Sequence, residues 1–208
     1  MSARVSPGPR ATADTRRRFL QTSLATLGLS SLATAALASG ADSAVVGAAR
    51  AGLERVGGGM ARRDVVGVAD FAQPSRVPRF HLVDMMSGRV DTLLVAHGRG
   101  SDPGRTGSLQ SFSNRPGSAA TSQGHYLTGG YYFGRHGRSM HLRGLDPTNS
   151  NAEGRAIVVH SAWYVGPDML AEWGMLGRSE GCFAISPSDL PRVLDRLSPG
   201  HLLIATKL

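Results

Sequence analysis

The apolar and polar positions divide the chain into three parts. Residues 23–38 form an apolar stretch rich in Ala, Leu and Ser, and the basic run 16–18 precedes it. Between residues 42 and 56 apolar positions recur with the period of a helix, and Asp42 stands where an N-cap is expected. From Val65 onward the apolar residues occur in short runs typical of strands. The pattern therefore predicts a mainly-β domain with a few peripheral helices, behind an apolar N-terminal segment.

Several strands can be placed from these runs. Residues 80–84 and 90–96 flank a Ser-Gly turn and predict a hairpin. The apolar residues 156–159 predict a buried strand that leads directly into His160. Residues 98–124, in contrast, are rich in Gly, Ser, Asn and Pro. A long loop of this kind in a compact domain is more often functional than idle.

The C-terminal part of the sequence predicts two helices and a last strand. Residues 167–173 predict a short helix that stops at Gly174. Ser186, followed by a proline, is a good helix start, and this helix is expected to run to about residue 197. Residues 202–205 then predict a closing strand.

The net charge has to be divided between the N-terminal segment and the rest. The 208 residues carry 23 Lys and Arg against 15 Asp and Glu, a formal charge of +8. The basic residues are arginines apart from Lys207, and they are scattered through a Gly- and Ala-rich sequence, unlike the basic patch of a nucleic-acid-binding protein. The basic run and the apolar stretch together resemble a twin-arginine export signal that ends at the small residues 36–38. Residues 39–208 carry 18 basic and 14 acidic residues, so half of the +8 belongs to this signal.

These features predict how the chain is organised and where it acts. We expect a signal peptide over residues 1–38, an N-terminal helix and linker over 39–74, and a catalytic domain over 75–208. The expected partner during export is the twin-arginine (Tat) translocon, the destination is the periplasm or cell wall, and no nucleic-acid partner is expected. An uncleaved membrane anchor is the alternative, although the apolar stretch is polar for a membrane span.

Candidate chemistry centres on Cys182, the single cysteine of the chain. One cysteine excludes an intramolecular disulfide and a cysteine-based zinc cluster. Taken alone, Cys182 could be a small buried hydrophobe, the common fate of a free cysteine. Two other residues favour a nucleophile. Gly181 allows a tight backbone whose N–H groups could face an oxyanion, and His160, at the end of a buried strand, could accept the thiol proton.

The chain combines the pair His160-Ser161 with a downstream Ser179-x-Gly181-Cys182. This combination resembles the L,D-transpeptidase (YkuD-type) cysteine enzymes of bacterial cell-wall synthesis, and in particular the murein L,D-transpeptidase catalytic domains. The likeness extends over roughly residues 75–190. Further matching segments are residues 94–98, 113–118, 134–139 and 144–146.

The resemblance implies a β-sandwich-type catalytic domain and a two-step acyl transfer on peptidoglycan stem peptides, with no cofactor and no metal. Cys182 would attack the carbonyl that joins the third stem residue to the terminal D-Ala. His160 would act as general base and later as acid, and Ser161 would orient its imidazole. The N–H groups of Gly181 and Cys182 would form the oxyanion hole. The residues expected to bind substrate or to shape the cleft are Ser179, Arg178, His97 and His136.

Two positions depart from the family pattern. Phe183 and Ala184 follow the cysteine where many members place Arg or Asn, and Arg178 is a candidate to bind the substrate carboxylate instead. Glu180 stands where relatives often have His or an aromatic residue. A carboxylate at this place would oppose formation of the Cys182 thiolate.

Three alternatives remain open at this point. Transfer to a side-chain amine gives a 3–3 cross-link, whereas transfer to water would make the protein an L,D-carboxypeptidase. The second alternative is a catalytically weak peptidoglycan-binding module. The third is a zinc hydrolase, but His97, His125, His136 and His141 lack the spacing of a helix-borne ligand pair. The sequence leaves the acyl acceptor and the oligomeric state open.

Overall fold

The computed structural model describes Gly40 and residues 42–208. The predicted signal peptide, residues 1–38, lies outside the described residues and stays a prediction. None of the helices in the described part is long and apolar enough to cross a membrane.

Strands dominate the described chain, which confirms the predicted mainly-β class with peripheral helices. Eight strands form one sheet in the order β3-β2-β1-β8-β4-β5-β6-β7. The strands are β1 (Val65–Asp70), β2 (Phe80–Asp84), β3 (Val90–Leu93), β4 (Gly124–Gly134), β5 (Gly137–Gly144), β6 (Val158–Ser161), β7 (Phe183–Ile185) and β8 (Leu202–Thr206). The helices are α1 (residues 42–56), α2 (Pro167–Trp173) and α3 (Leu190–Arg196). Three short 3-10 turns cover Gly57–Gly59, Arg99–Ser101 and Pro147–Asn149.

The pairing of the strands places the N- and C-terminal parts of the domain side by side. The predicted hairpin is present as the antiparallel pair β2 and β3. The C-terminal strand β8 lies between β1, to which it is parallel, and β4, to which it is antiparallel. Strand β1 therefore lies inside the sheet, although it falls within the segment 39–74 that we assigned to a helix and linker.

The two ends of the sheet meet beside Cys182. Beyond β3, Ala96 N donates to the backbone oxygen of Ala184 in β7 at 3.0 Å. One step further, Ser179 N donates to the backbone oxygen of His97 at 2.9 Å, and Arg99 N donates to that of Ser179 at 2.8 Å. We call these contacts the seam. They join the strand edge after β3 to the loop that precedes β7.

Every strand contributes to one buried core cluster, and the sheet curls around it. Tyr126 of β4 and Phe183 of β7 meet edge to face in this core, with their ring centroids 5.4 Å apart. The Tyr126 hydroxyl donates to the backbone oxygen of Ser122 at 2.7 Å. Phe183, the residue after Cys182, is fully buried and so anchors the end of the Cys182 loop in the core.

A buried arginine, Arg79, binds the strand edge that forms one side of the seam. Arg79 is 0% exposed, and its guanidinium donates to the backbone oxygens of Gln73 at 2.6 Å and Val95 at 3.1–3.2 Å and to Nδ1 of His97 at 2.7 Å. Burial lowers the pKa of Arg79 to about 10, so the side chain stays charged at neutral pH. The cation thus ties the start of β2 to the strand edge that forms one side of the seam.

Helix α1 packs on the outer face of the sheet. Its apolar residues Val45, Ala49 and Leu53 are buried in a cluster with Val66 and Ile204, which belong to β1 and β8. The predicted helix therefore covers the domain rather than only leading into it.

Replacing Leu53 with Ala should lower the free energy of unfolding by about 2–4 kcal/mol, because it leaves a cavity between α1 and the sheet. Glu54→Ala, at the exposed neighbouring position, is the matched control and should change it by less than about 0.5 kcal/mol. Urea unfolding measures both values. Equal effects of the two substitutions would contradict the packing of α1 on the sheet.

Candidate active site

Cys182 lies at the start of β7, on the wall of a cavity of about 200 Å3. Its thiol is half-buried. The cavity is lined by Arg135, His136, His160, Tyr164, Arg178, Ser179, Glu180 and Cys182. Five of the eight predicted site residues therefore meet at one place: Cys182, His160, Ser179, Arg178 and His136.

Ser179 fixes the loop that carries Cys182. Its hydroxyl donates to the backbone oxygen of Cys182 at 2.7 Å and accepts the N–H of Gly181 at 3.1 Å. The side chain is buried and both of its hydrogen-bonding roles are used inside the loop. The structure thus gives Ser179 a positioning task instead of the expected substrate contact.

This arrangement also revises the expected oxyanion hole. The N–H of Gly181 is directed to Ser179 and is not free for substrate. The N–H of Cys182 donates to no other group in residues 42–208, so it is the donor that remains for a developing oxyanion.

The backbone conformation and the close packing at position 181 require a glycine there. Its φ is 120°, a conformation that favours glycine. A Cβ at this position would lie 2.7 Å from the backbone oxygen of Ala120 and 2.8 Å from Cδ1 of Ile157. The close approach of these groups holds Cys182 beside the residues that precede β6.

Ser161 determines which ring nitrogen of His160 carries the proton and which carries the lone pair. Nδ1 of His160 lies 2.8 Å from the backbone oxygen of Ser161, so Nδ1–H is the donor and Nε2 carries the lone pair. Ser161 thus contacts the imidazole through its carbonyl rather than its hydroxyl. The Nε2 lone pair is what a general base requires.

The imidazole and the thiol share the cavity without being hydrogen-bonded to each other. Strands β6 and β7 run parallel, with His160 paired to Ala184, so Cys182, directly before β7, lies beside the strand that carries His160. The Cys182 thiol is directed to the backbone oxygen of Ala156, with an Sγ–O distance of 3.5 Å. The thiol would have to rotate away from Ala156 to form a hydrogen bond with Nε2.

A second histidine stacks on His160. The rings of His136 and His160 lie 4.2 Å apart between centroids and 23° from parallel. Nε of Arg135 donates to Nε2 of His136 at 2.9 Å, which requires His136 to be neutral with its proton on Nδ1. His136 was expected to contact substrate; the contact it makes here is with the imidazole of the candidate base.

The surroundings keep the candidate pair neutral at rest. Burial lowers the pKa of His160, and the charge of Arg135 lowers it further, against the hydrogen bond to Ser161. Burial raises the pKa of the Cys182 thiol, although Val158 N–H, Arg135 and Arg155 act in the opposite direction. Because one pKa falls and the other rises, the resting pair is thiol and imidazole rather than thiolate and imidazolium.

Glu180 raises the pKa of Cys182, as its position in the sequence predicts, but as the smallest of the causes. Its carboxylate accepts a hydrogen bond from Nε of Arg99 at 2.7 Å, and both side chains are more than half exposed. Arg99 and solvent therefore offset most of its charge.

Two arginines near the thiol are held by backbone oxygens. Arg178 donates to the backbone oxygen of Asp102, so part of its guanidinium is committed to the fold. Arg155 donates to Ser113 O at 2.8 Å and to the backbone oxygen of Ala120. Sequence reasoning missed Arg155 because nothing in the local pattern distinguishes it from a surface arginine.

His97 is not a residue of the cavity, contrary to the expectation that it binds substrate or shapes the cleft. Its side chain is 1% exposed, and Nε2 lies 3.7 Å from the carboxylate of Asp102 without a hydrogen-bond partner. Burial and the charge of Arg79 lower the pKa of His97 to about 4, so it is neutral. His97 acts on the site through its backbone oxygen, which accepts Ser179 N–H in the seam.

Within residues 42–208 no group of three or more His, Cys, Asp and Glu side chains is arranged to hold a metal ion. The histidines considered for zinc are dispersed. Nδ1 of His125 pairs with Asp146 at 2.6 Å, and His141 stacks on Tyr132 with centroids 4.4 Å apart.

Comparison with known proteins gives one family and several structures. The L,D-transpeptidase catalytic domain family matches residues 38–205. Similar solved structures include an L,D-transpeptidase from Mycobacterium smegmatis, with 17% identity, a TM-score of 0.42, and coverage of 68% of this chain and 58% of that one. L,D-transpeptidase 3 from Mycobacterium tuberculosis, in complex with a faropenem-derived adduct, has 16% identity, a TM-score of 0.45, and coverage of 69% and 60%. The helical cell shape determining protein of Campylobacter jejuni has 12% identity, a TM-score of 0.43, and coverage of 69% and 47%.

The chain thus spans less than two thirds of the length of each of these structures. No curated protein sequence matches it.

Because Cys182 and His160 are neutral at rest, the rate of Cys182 alkylation should depend on pH in a predictable way. Alkylation by iodoacetamide should be slow at pH 7 and should rise to a midpoint above the pKa of an ordinary cysteine, about 8.5, because burial disfavours the thiolate. The same titration in concentrated urea is the control and should give an ordinary midpoint. A folded-state midpoint below pH 7 would show a preformed thiolate and contradict the account.

Proposed function

The chain belongs to the L,D-transpeptidase catalytic domain family, and we propose that it transfers acyl groups between peptidoglycan stem peptides through a thioester on Cys182. The observation that carries this proposal is the convergence of three groups at one cavity. They are the thiol of Cys182, the Nε2 lone pair of His160 and the unpaired N–H of Cys182. A nucleophile, a base and an oxyanion donor are what acyl transfer requires.

The first step forms the thioester. His160 Nε2 accepts the thiol proton as Sγ attacks the carbonyl between the third stem residue and the terminal D-Ala. The negative charge develops on the carbonyl oxygen, to which Cys182 N–H donates. The carbon–nitrogen bond then breaks, and the imidazolium of His160 gives its proton to the departing amine of D-Ala.

The second step resolves the thioester. A side-chain amine of another stem peptide loses a proton to His160 Nε2 and attacks the thioester carbonyl, and the cysteine sulfur leaves and regains a proton. The product with an amine is a 3–3 cross-link, and the product with water is a tripeptide. Because the carbonyl of Ser161 engages Nδ1, the Nε2 lone pair is left to accept the proton in both steps.

A neutral resting pair suits this chemistry in an exported protein. Oxidation of a cysteine proceeds through the thiolate, so a thiol that ionises only during proton transfer to His160 is protected between turnovers. Arg135 and Arg155, whose charges favour the thiolate, are in place to lower the cost of ionisation when it occurs.

Incubation with purified disaccharide-tetrapeptide tests the proposal. The wild type should release D-Ala and form 3–3 dimers, and Cys182→Ala should form neither. His160→Gln should lower the rate by about 10²–10⁴-fold through loss of the base. His141→Gln, at an exposed position outside the cavity, is the matched control and should retain activity.

Other outcomes contradict the proposal in distinguishable ways. Tripeptide without dimer would assign the protein as an L,D-carboxypeptidase. Binding of peptidoglycan without turnover would assign a binding module. Turnover that survives Cys182→Ala but is abolished by a chelator would assign a metal hydrolase.

We also propose export by the twin-arginine route, supported by the run Thr15-Arg16-Arg17-x-Phe19-Leu20 before an apolar stretch. Replacing Arg16 and Arg17 together with Lys should abolish export of the full chain, measured by cell fractionation. Arg10→Lys is the matched control and should leave export intact. Undiminished export of the double variant would contradict this route.

A further inference from the structure

Two guanidiniums on the cavity wall, those of Arg135 and Arg178, form no ion pair with a carboxylate of residues 42–208. Arg135 lies in the turn between β4 and β5, is exposed, and lines the cavity together with Cys182. Its Nε donates to Nε2 of His136 at 2.9 Å, and no ion pair joins it to an acidic side chain within the described residues.

The other cations near the thiol are committed. Arg99 is paired with Glu180 at 2.7 Å, and Arg178 donates to the backbone oxygen of Asp102. Arg155 donates to Ser113 O and to further acceptors beneath the loop. Arg178, which the sequence suggested as the carboxylate ligand, is therefore less available than Arg135.

The hydrogen bond to His136 fixes how Arg135 can bind. A guanidinium has five N–H donors, and using Nε leaves the two terminal nitrogens to face a ligand side by side. This pair of nitrogens matches the two oxygens of a carboxylate. Because His136 stacks on His160, the same contact holds Arg135 in place relative to the candidate base.

On the basis of the proposed function, we propose that Arg135 binds the C-terminal carboxylate of the acyl donor and so directs Cys182 to the last peptide bond of the stem. In a peptide, the carboxylate of the final residue lies about one residue length, ~3.8 Å in Cα spacing, beyond the scissile bond. A cation on the wall of the same small cavity is placed to select chain ends over internal peptide bonds.

Two acyl-donor peptides that differ only in their C-terminal group test this assignment. One is the tetrapeptide donor with a free D-Ala carboxylate, and the other is the same donor ending in D-alaninamide. For the wild type, kcat/KM for release of the terminal residue should be at least about tenfold higher with the acid, since a charge-assisted pair is lost with the amide.

Arg135→Gln should remove this preference. The variant should lower kcat/KM for the acid by about 10–100-fold more than for the amide, because both donors lose the charge that favours the Cys182 thiolate but only the acid also loses a charged partner. Arg138→Gln, at the start of β5 beside the same turn, is the matched control. Arg138 lies over the ring of Tyr131 outside the cavity, so its loss should leave the preference intact.

Retained turnover of the amide shows that Arg135→Gln is folded and that His160 still works. Equal loss with both donors would overturn the proposal and assign Arg135 to the positioning of His136. Equal use of the two donors by the wild type would also overturn it while leaving the proposed function standing. No release from either donor by the wild type would contradict the proposed function itself.

Discussion

The hydrogen bonds that tie Ser179 to His97 and Arg99 are the constraint on which the site depends. Ser179 donates to one of these residues and accepts from the other, and its hydroxyl bonds to Gly181 and Cys182 within the loop. One serine thereby connects the two ends of the sheet and fixes the backbone on both sides of Gly181. The position of the thiol follows from sheet closure, so a change in the seam should displace the Cys182 thiol without contacting it.

Burial and charge set the chemistry within that frame. Burial of the two side chains disfavours both the thiolate and the imidazolium. Arg135 and Arg155 act in the opposite direction on the thiol. The result is a pair that is neutral at rest, beside two arginines that favour ionisation of the thiol, which suits the proposed pairing of a cysteine nucleophile with a general base.

The local sequence pattern was sufficient to predict those helices and strands whose signals lie within a few residues of each other. Helix α2 occupies 167–173 and ends at Gly174 in a left-handed conformation, because glycine adopts it without strain. Helix α1, the β2–β3 hairpin and the strand leading into His160 were likewise predicted. The motif around Cys182 and His160 also identified two residues that the fold brings to one cavity.

Long-range contacts account for what the sequence did not reveal. The insertion of β8 between β1 and β4 joins segments more than 60 residues apart, and no local periodicity encodes it. Arg79 and His97 have the residue types of a surface or a cleft, yet they are buried because they bond to each other and to backbone oxygens. Ser179 was expected to face substrate, and only the loop geometry shows that its hydroxyl is already used.

The thioester on Cys182 is the central claim, and trapping it is the most direct measurement. The protein is mixed with the tetrapeptide donor, quenched in acid within one turnover, and analysed intact by mass spectrometry. The account predicts a mass gain equal to the donor less D-alanine, located on the peptide that carries Cys182. Release of D-alanine with no adduct on the protein, or an adduct on any other residue, would contradict it.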